Sequence, residues 1–136
     1  MPGQMVILVV TALIENKGKY LVLQRSENNI TNENKWQFPE GKVKLGENLI
    51  KALKRELVEE TGLILTSAKL FGIHSNISKE ARGVFRIFRT IFRCKTIGKV
   101  RLSKEHKKFI WADLKELDKL DFIEGFSPKN IISVKK

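Results

Sequence analysis

Hydrophobic and polar residues follow distinct periods along this chain of 136 residues. Two apolar runs rich in β-branched residues, 5–14 and 19–25, are separated by the turn sequence NKG at 16–18. They predict a hairpin whose strands are apolar on both faces and therefore central in a sheet. The Asn-rich stretch 26–35 predicts a loop. Residues 36–47 contain one proline and two glycines, which favour a short strand followed by a structured loop.

A helical period begins after this loop and covers 48–61. Three apolar residues fall on one face of the predicted helix: Ile50, Leu53 and Leu57. Asn48 is suited to cap the N-terminus of the helix, and Gly62 is suited to end it. The pattern therefore predicts one well-defined amphipathic helix in the first half of the chain.

The second half of the chain returns to strand-like patterns. Residues 63–77 and 83–94 predict strands, and 108–120 predict a strand end followed by a short helix over 114–120. The order of strands, one helix, strands and a helical tail indicates an α/β or α+β fold with a mixed sheet between helices. The length is suited to a single domain over 1–136.

Composition narrows the class of protein. Hydrophobic residues make up 42% of the chain and charged residues 30%, which is ordinary for a globular protein. No apolar run reaches the ~18 residues of a spanning helix, and the run at 5–14 lacks the flanking features of a signal peptide. Cys94 is the only cysteine, which excludes an internal disulfide framework and a CxxC site. We expect a cytoplasmic protein without a membrane partner.

Charge adds a contrast within the chain. The formal net charge is +11, which fits either a solvated lysine-rich surface or a functional surface for phosphate or nucleic acid. The sequence RELVEETG at 55–62 nevertheless gathers Glu56, Glu59 and Glu60 at helical spacings i, i+3 and i+4. Such like-charge pairs cost roughly 0.2–0.5 kcal/mol each when solvated. Since Glu56 and Glu60 flank the apolar stripe, a bound cation explains them better than screening by water.

A longer motif contains these glutamates. Gly41, Glu47 and the sequence RELVEETGL at 55–63 reproduce every fixed position of the Nudix box, here 41–63, and the chain resembles the Nudix hydrolase superfamily. Glu40 departs from the pattern, because many members have a second glycine there. The resemblance implies a Nudix-type mixed sheet and a hydrolase that cleaves a nucleoside diphosphate linkage with Mg²⁺ or Mn²⁺. Divalent cations of this kind prefer oxygen ligands and bridge phosphates.

The resemblance also implies roles for particular residues. The metal ligands would be Glu56, Glu59, Glu60 and the backbone carbonyl of Glu40. Arg55 would orient a carboxylate, with Glu47 as its ionic partner or as a helper beside the metal.

A further metal ligand is implied by the sequence SKEHKKFIW. It resembles a loop of MutT-like members in which a glutamate six residues before a tryptophan reaches the metal, here Glu105 and Trp111. A solvated loop glutamate is the alternative. As general base we favour Glu56 over Glu105.

Residues outside the box bear on the substrate. FSPKNIISV resembles the segment of MutT-like enzymes whose asparagine, here Asn130, hydrogen-bonds the purine, and Arg25 matches an arginine that contacts base or phosphate. The alternatives are a cap or turn residue for Asn130 and a surface cation for Arg25. We therefore expect a nucleoside triphosphate pyrophosphohydrolase that releases a monophosphate and pyrophosphate.

Other functions remain open on the sequence alone. The substrate could instead be ADP-ribose, a nucleotide-sugar, a dinucleoside polyphosphate or an RNA cap. FRIFRTIFR at 85–93 also suits a non-catalytic module that stacks single-stranded nucleic acid, although a half-buried core strand explains it more simply. His74 and His106 have no second histidine or cysteine at metal-ligand spacing and are interpreted as structural or exposed. The oligomeric state is undetermined, with a homodimer as one option.

Overall fold

The computed structural model describes residues 5–27, 32–80, 83–124 and 126–129. Within these residues the elements are β1 (Met5–Asn16), β2 (Lys19–Arg25), β3 (Trp36–Gln37), β4 (Glu40–Lys42), α1 (Leu49–Thr61), β5 (Ile64–Glu80), β6 (Gly83–Ile97), β7 (His106–Ala112) and α2 (Leu114–Asp118). The predicted hairpin, helix and later strands are confirmed. The second helix ends at Asp118 and is therefore two residues shorter than the predicted 114–120.

The strands form one mixed sheet. Its order is β3-β2-β1-β6-β5, with β4 paired to β1 and β7 paired to β2. β1 and β6 are parallel over ten residue pairs from Met5↔Phe85 to Ile14↔Cys94, and the other pairings are antiparallel. The first strand is therefore central, as its apolar sequence predicted.

Residues on β1 alternate between two hydrophobic clusters. Val10 and Ala12 belong to a cluster with Leu53 of α1, whereas Leu13 belongs to a cluster with Leu117 of α2. Because successive side chains of a strand point to opposite faces, the sheet lies between the two helices. The predicted layer order is confirmed. No helix within the described residues is long and apolar enough to cross a membrane.

Helix α1 has the predicted ends but a shifted apolar stripe. The side chain of Asn48 accepts a hydrogen bond from the Lys51 N–H at 2.9 Å, and Gly62 ends the helix at a left-handed φ of 71°. Ile50 is 38% exposed, so its predicted place in the buried apolar stripe with Leu53 and Leu57 is wrong. Leu49 packs against the core instead, because the buried stripe is centred nearer to it and leaves Ile50 at the margin.

Candidate metal and substrate site

An open cleft of about 1260 Å³ lies between α1, β4, the ends of β5 and β6, and the loop before β7. Acidic side chains line it at Glu33, Glu40, Glu56, Glu59, Glu60, Glu105 and Glu124. Basic side chains line it at Arg25, Lys35, Lys42, Lys79 and Arg89. The cleft therefore brings carboxylates that suit a cation together with cations that suit phosphate groups.

Helix α1 provides the acidic side of the cleft. Glu56 and Glu60 are one turn apart and project from the same face, whereas Glu59 is exposed. Glu60 is only 7% exposed, and one of its oxygens accepts the Glu40 N–H at 3.2 Å. The predicted placement of Glu56 and Glu60 beside the buried stripe is confirmed.

The environment of these two carboxylates favours their neutral forms. Burial raises the pKa of Glu60 well above its usual range, and the nearby carboxylates of Glu56 and Glu40 raise it further. Burial also raises the pKa of Glu56, although the hydrogen bond from Arg55 opposes this shift. The buried Glu60 and the partly buried Glu56 therefore resist being ionised at the same time unless a further positive charge is added.

Gly41 allows β4 to approach the carboxylate of Glu56. A Cβ built on Gly41 would lie 1.9 Å from Glu56 Cδ, so any side chain there would displace the carboxylate. The first glycine of the box is therefore required by close approach to the site and not by an unusual φ angle. Its sequence separation from Glu56 is set by the loop and the first two turns of α1.

Arg55 donates hydrogen bonds to three glutamate carboxylates, those of Glu47, Glu56 and Glu59. Its Nε and Nη2 donate to the two oxygens of Glu47 at 2.6 and 2.9 Å, and its Nη1 donates to Glu56 Oε1 at 2.7 Å. Nη2 also donates to the carbonyl of Lys42 at 2.9 Å, and Nη1 donates to Glu59 Oε2 at 3.2 Å. The Arg55–Glu47 pair predicted from the sequence is thus present, and it ties α1 to the loop and to β4.

Glu47 itself does not line the cleft. Hydrogen bonds from Arg55 and from the Lys44 N–H lower the pKa of Glu47 to about 2, so it is ionised at all ordinary pH values. Of the two roles that the sequence suggested for Glu47, ionic partner or metal-side helper, this geometry fits the ionic partner.

The side chain of Glu40 is engaged on the opposite side of the cleft. Arg89 donates to its two oxygens from Nε at 3.0 Å and from Nη2 at 3.3 Å, and Thr11 donates its hydroxyl at 3.0 Å. Arg89 Nη1 also donates to Asn76 Oδ1 at 2.6 Å. Glu40 therefore has a charged partner, and its side chain is occupied in this pair.

Arg89 was not identified from the sequence as a site residue. It is only 5% exposed and lies on the same face of β6 as the buried side chains of Phe85 and Ile91. An arginine on the inward face of an apolar strand needs a buried partner, and this was the available signal. The identity of the partner depends on the pairing of β1 with β4 and β6, which the local sequence does not contain.

The loop before β7 brings a second unexpected group to the acidic cluster. One ligand atom each from Glu60, Glu105 and His106 lie within 4.8 Å of one another. His106 is 4% exposed, and burial followed by the charge of Arg25 lowers its pKa to about 4. The interpretation of His106 as structural or exposed did not take its position beside Glu60 and Glu105 into account. Nothing in the residue spacing reveals it, since Glu60 and His106 meet only through the fold.

The predicted substrate residues have different outcomes. Arg25 lines the cleft and donates from Nη1 to Gln37 Oε1 at 2.8 Å. Asn130 lies outside the described residues. His74 is partly buried, with its ring centroid 5.2 Å from that of Phe126.

The aromatic strand proposed for nucleic-acid stacking is largely core. The rings of Phe85 and Phe92 are buried, and Phe88 is partly buried. Arg93 lies over the ring of Phe71 at 4.9 Å. The simpler interpretation of 85–93 as a half-buried strand agrees with these positions.

The chemistry of the cleft fits a hard divalent cation. Glu56, Glu60 and Glu105 line the same cleft, and the carboxylates of Glu56 and Glu105 are close enough to Glu60 to raise its pKa in addition to its burial. Mg²⁺ and Mn²⁺ prefer such oxygen ligands, and a cation there would offset both the burial and the carboxylate repulsion that raise the pKa of Glu60.

Comparisons with known proteins agree with this geometry. The family model described as NUDIX domain matches residues 5–131. The 8-oxo-dGTP diphosphatase of Buchnera aphidicola subsp. Acyrthosiphon pisum is 35% identical over 111 residues, covering 81% of this chain and 82% of the relative. The ADP-ribose pyrophosphatase of Methanocaldococcus jannaschii is 31% identical over 116 residues, covering 85% of this chain and 66% of the relative.

A solved structure gives the same result for the fold. The crystal structure of a MutT protein from Methanosarcina mazei Go1 superposes with a TM-score of 0.81 at 29% identity and covers 99% of this chain and 96% of that one. The two named diphosphatases act on different substrates, so they agree on the class of reaction only. The chain therefore belongs to the Nudix hydrolase superfamily, whose members use divalent metal ions, and it is a MutT-like pyrophosphohydrolase.

Proposed function

We propose that this protein hydrolyses a nucleoside triphosphate to a nucleoside monophosphate and pyrophosphate, with Mg²⁺ or Mn²⁺ as cofactor. The observation that carries the proposal is the pair of carboxylates, Glu56 and Glu60, held against β4 at the base of an open cleft that also contains basic side chains. Carboxylates arranged in this way suit a cation, and the basic residues suit a polyphosphate.

The residues that would hold the cation are the glutamates of the cleft. Glu56, Glu59, Glu60 and Glu105 offer side-chain oxygens, and Glu40 offers its backbone carbonyl, since its side chain is paired with Arg89. When bound, the cation supplies positive charge to the phosphate oxygens and lowers the pKa of a coordinated water.

Glu56 is the residue that we assign as general base. Glu56 lines the cleft, and Arg55 fixes the orientation of its carboxylate through a 2.7 Å hydrogen bond. The attacking water oxygen forms a bond to phosphorus as the bridging P–O bond breaks, and the proton passes to the base. Glu105 is the second choice for this role, since it reaches the same cluster from the loop.

Basic residues around the cleft would bind the rest of the substrate. Arg25 is held by its hydrogen bond to Gln37, and Lys42 and Lys79 also line the cleft. Arg25 and Asn130 would contact the nucleobase or the phosphates of the substrate. This arrangement supports a triphosphate, whose charge calls for several cations beyond the metal.

ADP-ribose is a second candidate substrate. The observation in its favour is the 31% identity to a relative named ADP-ribose pyrophosphatase. The relative named 8-oxo-dGTP diphosphatase, at 35% identity over a similar share of the chain, favours the triphosphate.

A panel of nucleotides tests the proposal. Purified protein with Mg²⁺ is incubated with ribo- and deoxyribonucleoside triphosphates, 8-oxo-dGTP, ADP-ribose and a dinucleoside polyphosphate, and products are separated by anion-exchange chromatography. We expect pyrophosphate and a monophosphate from at least one triphosphate, and no products in EDTA. Turnover of ADP-ribose alone would replace the proposed substrate, and steep salt-dependent binding of single strands without any turnover would favour the nucleic-acid module.

A further inference from the structure

His106 has a defined tautomer in a buried environment. Its Nε2 lies 3.1 Å from Gln37 Oε1, which also accepts the Nη1–H of Arg25 at 2.8 Å. Because arginine only donates, the Gln37 atom is an acceptor, and the proton of the His106 ring must therefore be on Nε2. Nδ1 is left with a lone pair. It is buried and has no hydrogen-bond partner within the described residues.

An imidazole in this state has the features of a metal-binding histidine. Ligating histidines commonly donate one ring N–H to an acceptor, which fixes the ring, and present the other nitrogen to the metal. Here Gln37 is the acceptor. A buried polar atom without a partner is destabilising, so the lone pair on Nδ1 calls for a donor or a cation.

The neighbours of His106 indicate a cation. Glu60 and Glu105 each place a carboxylate oxygen within 4.8 Å of a ring nitrogen and of each other. Two carboxylates and one neutral imidazole at such separations can converge on one ion with small adjustments of their side chains. Glu60 is already fixed by the Glu40 N–H, and His106 is already fixed by Gln37.

We propose that His106 Nδ1 is a ligand of a divalent cation shared with Glu60 and Glu105. The inference rests on the proposed metal site and adds to it a nitrogen donor. Both Mg²⁺ and Mn²⁺ bind oxygen ligands, but Mn²⁺ is a transition-metal ion that accepts an imidazole nitrogen more readily than Mg²⁺ does. The site of this chain should therefore bind Mn²⁺ with a greater advantage over Mg²⁺ than a site made of oxygen atoms alone.

Pulsed electron paramagnetic resonance of bound Mn²⁺ tests the ligand directly. One equivalent of Mn²⁺ is added to metal-free protein, and the electron spin echo is examined for coupling to a directly bound imidazole nitrogen. The chain has two histidines, so growth on ¹⁵N-histidine identifies their contribution. We expect a histidine coupling that changes with the isotope, persists in His74→Gln and disappears in His106→Gln.

Metal affinities provide a second readout. Isothermal titration of wild type and His106→Gln with Mn²⁺ and with Mg²⁺ should show weaker binding of Mn²⁺ in the variant. Loss of an outer-shell partner alone costs roughly 10- to 100-fold in affinity, and we expect the loss of a ligand to cost at least as much for Mn²⁺. Mg²⁺ affinity should fall less, so the Mn²⁺ preference shrinks. A purely structural histidine would leave this preference unchanged.

The outcomes separate this inference from the proposed function. Bound Mn²⁺ without histidine coupling in the wild-type protein overturns the assignment of His106, whether or not the variant folds. If that protein still hydrolyses a triphosphate with Mn²⁺, the proposed function stands without it. Histidine coupling in a protein that cleaves none of the nucleotides supports the ligand and overturns the function. Failure to bind Mn²⁺ at all overturns the assignment of His106, and failure to bind Mg²⁺ as well overturns the proposed function.

Discussion

The two sides of the cleft are assembled in different ways. The acidic side comes from one helix, on which Glu56 and Glu60 are one turn apart. The opposite side joins Thr11 of β1, Glu40 of β4 and Arg89 of β6, three residues that meet only through strand pairing. A helical period is visible in a short stretch of sequence, whereas contacts between strands depend on register across the whole fold. The acidic side can therefore be predicted from a short stretch of sequence, whereas the opposite side cannot.

The largest effect on stability should come from Arg89. In Arg89→Met the carboxylate of Glu40 loses its charged partner in a nearly buried position, which should destabilise the fold by about 3–5 kcal/mol. Urea denaturation measures this loss. Arg86→Met, on the same strand but partly exposed, is the matched control and should change stability by less than about 0.5 kcal/mol.

A double variant sharpens this test. Arg89→Met combined with Glu40→Gln removes the isolated charge and should recover part of the stability lost in Arg89→Met. Equal destabilisation in the single and double variants would mean that Arg89 acts through packing and not through the ion pair.

The largest effect on activity should come from the acidic side. Glu60→Gln keeps an oxygen that can accept the Glu40 N–H but removes the negative charge that would hold the cation. We expect kcat to fall by roughly 10²–10³-fold, the size seen when one group that stabilises a transition state is lost. Glu124→Gln, an exposed carboxylate of the same cleft, is the control for steady-state kinetics. Equal kcat in the two variants would contradict the role of Glu60.

The raised pKa of Glu60 predicts an unusual dependence of stability on pH. Because the folded protein retains this proton above pH 4.5 while the unfolded chain releases it, metal-free protein should lose stability as pH rises through the raised pKa. Glu60→Gln removes this contribution, so the variant should be more stable than wild type in EDTA at neutral pH. Comparing wild type with this variant separates the contribution of Glu60 from that of His106. The lowered pKa of His106, about 4, makes stability rise with pH instead of fall.

Thermal melting of both proteins from pH 5 to pH 8, with EDTA or excess Mn²⁺, measures this effect. Mn²⁺ should raise the melting temperature of wild type more than that of the variant, since binding to the folded state alone is stabilising. A variant that melts below wild type in EDTA at every pH would refute the assignment of an unfavourable charge to Glu60.

The smallest effect concerns the start of α1. Asn48→Ala removes the side chain that accepts the Lys51 N–H and should cost about 1 kcal/mol in unfolding free energy. Lys54→Ala, at an exposed position within the helix, is the control and should be nearly neutral. Since the cap lies two turns from Glu56, kcat should be unchanged while the protein remains folded. A kcat loss comparable to that of Glu60→Gln would show that helix position, and not the carboxylates alone, limits catalysis.

The same contrast explains what could be predicted from the sequence. The ends of α1 and the place of Glu56 and Glu60 beside its apolar stripe follow from residues within one short segment, and both were predicted. The Arg55–Glu47 pair was one of two roles that the resemblance suggested for Glu47. Ile50 was wrongly assigned to the buried apolar stripe, because a helical wheel does not show where the sheet meets the helix. That contact is set by tertiary packing, which overrides a residue's apolar character.

Residues from distant segments mark the limit of this approach. Arg89 was absent from the predicted site, and His106 was interpreted without its acidic neighbours. Both lie in apolar or mixed strands whose local patterns describe the strand but not its partners. Arg25 was predicted from its resemblance to a substrate-contacting arginine, and it does line the cleft. Its role remains a prediction.

Anomalous diffraction tests the central claim most directly. Crystals of the wild-type protein grown with Mn²⁺ and a non-hydrolysable nucleoside triphosphate would reveal each ion by its own scattering. The account predicts Mn²⁺ bonded to carboxylate oxygens of Glu56 and Glu60 and to phosphate oxygens of the nucleotide. Nucleotide bound in the cleft with no Mn²⁺ among these carboxylates, or Mn²⁺ bound only elsewhere on the protein, would contradict it.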